Sequence, residues 1–267
     1  MQRLLALAAA ILLAGCAFPS DGRPSATLPA DAPMLTVTSE GGFAPVEQLV
    51  GRGPRFVLMA DGRLLFEEPA AAVDPAPMLT GYLVVQVDEA TLRTIRRLVD
   101  EIGFPGFSEL RNDDAADRVA DATTEVVTYR DGDGDHVFAV YALGLVDPDD
   151  RRVELLRALL DLVEEAATSG EPEAAPVDHL VVHVAEVPAD PELSDVRPWP
   201  LPEAPEELES IEPLGWRCAT YDAATAAELV GVFTAATRAT LWEEGDTTFR
   251  ILARPLLPGE AGCAVGG

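Results

Sequence analysis

The side chains of this 267-residue chain with most chemical reach are three cysteines, three histidines and a run of alternating aspartates. Asp131, Asp133 and Asp135 alternate with glycine, as at the start of an EF-hand calcium loop, where positions 1, 3 and 5 supply oxygen ligands. The match ends there: His136 stands where that loop needs glycine, and Ala142 where it needs the bidentate glutamate. The segment reads as a polar hairpin turn, with weak calcium binding as the alternative. His179 and His183 follow Asp178, but their spacing along a strand spans about 13 Å, too far for two ligands of one ion. They read as surface or edge-strand residues, and protonation near pH 6 is the one use evident for them. Trp199, between two prolines, is the candidate for an exposed aromatic platform; the competing reading is that it pins its loop to the body.

What is missing excludes more than what is present suggests. The chain contains no lysine; all 19 basic residues are arginine. That removes lysine Schiff bases, P-loop nucleotide binding, Ser-x-x-Lys acyl transfer and the kinase lysine. Gly-x-Ser-x-Gly, Cys-x-x-Cys and His-Glu-x-x-His are absent too. A Ser-His-Asp triad has no local signature here, and among 46 acidic residues no carboxylate pair stands out as a glycosidase pair. The sequence therefore assigns no catalytic residue, no metal ligand beyond the weak aspartate candidates, and no cofactor.

The N-terminus carries the most specific signal. Arg3 precedes an unbroken apolar run from Leu4 to Leu13, closed by Ala14-Gly15-Cys16. About ten residues is half of what a spanning helix needs, so the segment reads as a secretory signal and not as a membrane anchor. Leu13-Ala14-Gly15-Cys16 resembles the lipobox of bacterial lipoproteins. Together with a lysine-free composition rich in Ala, Pro, Asp and Arg, the chain resembles secreted lipoproteins of high-GC actinobacteria. The resemblance covers the signal and tether and brings no activity. It implies removal of residues 1–15, lipid (palmitate among the acyl chains) on Cys16, and residence on the outer face of a membrane. Ordinary secretory cleavage beside an incidental cysteine is the alternative. One acyl chain anchors only marginally, whereas two or three hold firmly. With Cys16 acylated in an oxidising compartment, Cys218 and Cys263 remain to pair as a disulfide.

Residues 16–33 are expected to form the lipidated start and a disordered tether, with a span of roughly 20 to 25 Å. The rest is strongly acidic: the formal charge is −27, and loss of Arg3 takes the mature chain to −28. Such a field repels phosphate backbones and anionic headgroups, which excludes nucleic acid as a partner and adsorption to lipid through basic patches.

The elements follow from periodicity. Strands are predicted at 34–38 and 82–87, a hairpin around Ala60-Asp61-Gly62-Arg63, and an Asp88-capped helix ending at Gly103 whose arginines 93, 96 and 97 face solvent. A second hairpin at 123–141 and a helix at 151–167 complete an N-terminal half, 34–168. Residues 169–213, with many prolines and acids and a strand near His179–Val184, read as a solvated connector. The C-terminal half, 214–267, repeats the order strand, Asp222-capped helix, hairpin, here with strands at 238–242 and 247–254. The expected fold is α+β: two related halves of antiparallel sheet with helices on one face, the second stapled by the disulfide. The expected function is that of an envelope binding or interaction module, partnered by the membrane and by an envelope protein, wall polymer or small ligand. The alternatives are an extracytoplasmic hydrolase using Asp and Glu, and a calcium-dependent adhesion or sensing module.

Overall fold

The computed structural model describes residues 28–69, 74–104, 108–110, 119–145, 150–188, 195–212 and 214–263. Cys16, the expected signal segment and most of the expected tether lie outside them. The fold is α+β, built on two sheets. The first has the order β5-β7-β6-β1-β2-β3-β4-β8. Its strands are β1 (Pro33–Gly41), β2 (Phe56–Met59), β3 (Arg63–Glu67), β4 (Tyr82–Gln86), β5 (Ser108–Leu110), β6 (Thr123–Asp131), β7 (Gly134–Tyr141) and β8 (Glu173–Ala174). The second has the order β10-β13-β14-β9-β12-β11. It comprises β9 (Leu180–Val187), β10 (Val196–Pro198), β11 (Glu209–Ile211), β12 (Trp216–Tyr221), β13 (Leu241–Glu244) and β14 (Thr247–Pro255). Every pairing is antiparallel except β5 with β7 and β10 with β13.

Among the described residues four α-helices accompany the sheets: α1 (Val46–Val50), α2 (Glu89–Ile102), α3 (Arg151–Ser169) and α4 (Ala223–Thr234). Period-2 alternation turns Leu35, Val37, Val127 and Phe138 to one face of the first sheet, where α2 and α3 pack with Leu92, Ile95, Leu156 and Val163. On the second sheet Val182, Val184 and Ile251 meet Ala226, Leu229 and Phe233 of α4. The caps expected from sequence form. Asp88 accepts from the Ala90 and Thr91 amides, Asp222 accepts from the Thr225 amide, and Gly103 closes α2 in the left-handed conformation. The arginines of α2 lie along its outer side, Arg97 bridging to Glu101 at 3.0 Å and Arg93 to Glu89 at 3.6 Å.

The cap of α3 carries a measurable share of stability. Asp150 accepts from the Arg152 amide at 2.8 Å, and the Arg152 side chain and amide hold its carboxyl below the usual range. Asp150→Ala leaves that amide unpartnered at the head of a helix that buries Val153 and Leu156 completely. A loss of about 1 kcal/mol is expected in urea unfolding, with Asp150→Asn recovering most of it.

Three expectations differ from the fold observed. The stretch 169–213 is not a connector with one strand: it supplies β8 to the first sheet and β9, β10 and β11 to the second. Its described prolines are tolerated because they fall between strands or on an edge: Pro198 ends β10, a strand with no neighbour on its outer side among the described residues. Residues 28–33, read as the end of the tether, are tied down: Ala32 and Ala30 accept from the Ala60 and Asp61 amides, and Pro33 begins β1. The last hairpin starts later than expected, because Thr237 to Thr240 form a hydrogen-bonded turn before β13, while its reversal at Gly245 falls between the two expected strands.

The order strand, Asp-capped helix, hairpin does occur in both halves. The two hairpins insert differently: the leading strand β6 is the inner one in the first sheet, the trailing strand β14 in the second. The insertion between α2 and β6 contributes β5, the outermost strand of the first sheet.

Candidate functional site

The residues singled out by sequence do not converge. Asp131 is bound inside its own turn, accepting from the Asp133 and Gly134 amides at 2.7 and 3.1 Å and meeting the His136 ring nitrogen at 3.1 Å. Asp135 forms a two-point ion pair with Arg130, which holds its carboxyl below the usual range. Asp133 remains at the exposed tip, so the three carboxylates turn to a backbone turn, an arginine and solvent instead of to one cation. Among the described residues no group of His, Cys, Asp or Glu has the spacing of a metal site.

Trp199 is not an exposed platform. Its indole N–H donates to the Glu203 carbonyl at 2.7 Å and its ring meets Phe249 edge-on at 5.1 Å, so it pins the proline-rich loop to the second core. The histidines separate as well. His179 is exposed, whereas His183 is 2% exposed in β9, the strand between β14 and β12. An edge location was expected; flanking by Cys218 and Leu252 buries the ring instead. Desolvation, then the nearby Arg254 charge, pushes His183 down to about 4, so it is neutral near pH 6.

Cys218 and Cys263 form the disulfide, with Cα atoms 5.6 Å apart. It fixes the C-terminal segment 256–263, which passes between the two halves. Leu257 of that segment packs with Val57, Met59, Leu65 and Tyr82 on the face of the first sheet opposite α2 and α3. Arg254, 5% exposed, bonds Glu260 at 2.8 Å, and the same carboxylate oxygen accepts from the Leu257 amide at 2.6 Å. Gly53 sits at the junction of the two halves: a Cβ there would collide with the Tyr82 hydroxyl and stand 3.0 Å from Arg254 Nη1.

Two clefts flank this junction. The larger, about 730 Å³, has Thr36, Thr38, Thr124 and Thr128 of β1 and β6 as its floor and residues 258–262 as a wall. The smaller, about 420 Å³, is built by both halves: α1 and Arg52 on one side, Met78 and Thr80 of the β3–β4 crossing, and Arg238, Arg250 and Leu252 from the second half. Cross-half bonds hold it in shape. Arg250 donates to Glu47 at 3.1 Å and Arg238 to the Thr80 hydroxyl at 3.3 Å, while the Met78 and Thr80 amides donate to the Ala236 and Ala253 carbonyls. Glu47 and Arg250 are 203 residues apart, so no local motif could have announced the site.

The smaller cleft offers several arginine donors over an apolar patch of Met78 and Leu252, with Glu47 and Glu67 beside them. Such a lining suits recognition of a small molecule with one charged end better than acid–base chemistry, because Glu47 is engaged by Arg250. Comparison with protein-family models, with curated proteins and with solved structures found no match for this chain.

Proposed function

We propose that the chain is an extracytoplasmic lipoprotein, held at the outer face of a membrane by acyl groups on Cys16, whose body binds a ligand and does not transform it. The observation that carries the reading is the Cys218–Cys263 bond, which requires an oxidising compartment and leaves Cys16 as the remaining cysteine of the chain. The lipobox Leu13-Ala14-Gly15-Cys16 supplies the chemistry for attachment. Among the described residues no helix is long and apolar enough to cross a membrane. Binding without turnover is favoured by a two-sided cleft whose one acid bonded across the halves, Glu47, is already engaged by Arg250.

The test is made on protein from a host that acylates lipoproteins. The N-terminal peptide of the mature chain is expected to begin at Cys16 and to carry the diacylglyceryl mass, and Cys16→Ser is expected to lose that mass. A mature peptide with unmodified Cys16, or one beginning elsewhere, refutes the anchor.

A further inference from the structure

We propose that the cleft of about 420 Å³ between the halves is a binding site for a small monoanion, a carboxylate carried on an apolar body. The proposal deepens the binding-module reading by naming the ligand class.

The first support is an inversion of charge. Acids outnumber arginines 46 to 19 in the chain, yet three of the five ionisable side chains lining this cleft are arginines: 52, 238 and 250, against Glu47 and Glu67. The net charge of the lining favours one negative group and not several. The protein's overall charge repels an anion at long range, but at physiological ionic strength the Debye length of about 8 Å leaves the nearby guanidinium groups in control.

The second support is unspent hydrogen bonding. Arg250 gives Nη1 to Glu47, while its Nε is buried and has no hydrogen-bond partner among the described residues. A buried donor without an acceptor is costly, and it falls to Nη2, for which no acceptor is found among the described residues, to meet a carboxylate. Arg238 spends one terminal nitrogen on a long 3.3 Å bond to Thr80, which leaves it further donors.

The third is the apolar wall. Met78, Leu252 and Ala253 line the cleft beside the arginines, and burial of methylenes there adds affinity that a bare inorganic anion cannot obtain. Arg254, the cation at the other cleft, also has a buried Nε without a partner among the described residues, but it is 5% exposed and its Nη1 is held by Glu260 and the Pro255 carbonyl.

Hexanoate is the probe, titrated into the full-length chain by calorimetry in one fixed detergent so that partition into micelles is common to all arms. Hexanamide, the neutral counterpart, is expected to bind at least about 10-fold more weakly. Lengthening the carboxylate from four to six carbons is expected to tighten binding about two- to fourfold per methylene. Arg238→Gln should weaken hexanoate about 5- to 10-fold. Glu47→Gln frees Arg250 and removes a competing carboxylate, so it should tighten hexanoate about 3- to 10-fold, a gain that a damaged fold does not produce. Equal binding of hexanoate and hexanamide, or an unchanged or weaker affinity in Glu47→Gln, overturns the site. Acyl mass on Cys16 with no hexanoate preference defeats this proposal alone; its absence with the preference intact defeats the anchor alone.

Discussion

Replacing Cys218 and Cys263 together by alanine is expected to remove about 4 kcal/mol from the unfolding free energy, the largest effect of any change considered for this chain. The bond joins residues 45 apart, and closing a loop of that length removes about 4 kcal/mol of entropy from the unfolded ensemble. That is an upper figure, and it is a large fraction of the 5 to 15 kcal/mol that holds an ordinary domain together. The loss acts on a particular place. Cys263 ends the segment that sets Leu257 on the first sheet and Glu260 on Arg254, so releasing it loosens the junction of the halves before either core. Urea unfolding of the oxidised protein, of the reduced protein and of the double variant supplies the measurement. The last two should coincide and fall well below the first. A difference under about 1 kcal/mol would show that the tail is held by its packing alone.

The second large effect is on acid stability, through His183. Its ring is almost fully buried, Nδ1 has no hydrogen-bond partner among the described residues, and the charge facing it is the buried Arg254 guanidinium. An unfolded histidine takes up a proton near pH 6.5, whereas His183 in the native protein resists protonation until about pH 4. Between those values the unfolded state binds more protons, so stability is fully present above pH 6.5 and declines as the pH falls towards 4. The decline amounts to about 2 kcal/mol between pH 7.5 and 5 and roughly 3 kcal/mol once pH 4 is reached. His183→Leu replaces the unpartnered ring by an apolar side chain and removes the proton uptake. The variant is expected to match or exceed the parent at pH 7 and to lack the slope between pH 7.5 and 5, where most carboxylates remain ionised. Equal slopes in both proteins would place the titration elsewhere.

Local structure was legible because its causes are local. Asp88 and Asp222 announce helix starts because a carboxylate two or three residues ahead of free amides caps them whatever the surroundings. Gly62 in the Asp61–Gly62 turn and the alternation of β6 and β7 are read from chain geometry in the same way. The disulfide partners were legible for another reason: on the expectation that Cys16 carries lipid, two thiols leave one pairing.

Sequence by itself thus determined the α+β class, the caps and hairpins, the cysteine pair, and the excess of negative charge. Tertiary structure alone decided that His183 lies in a central strand, that the acidic stretch 169–213 builds much of the second sheet, that Trp199 is pinned, and that Arg52, Arg238 and Arg250 share a cleft with Glu47. The physical reason is the range of the forces. Capping and alternation act over a few residues, whereas the choice of which strand lies beside β9, or which arginine faces Glu47, is settled by burial and pairing between segments as many as 203 residues apart.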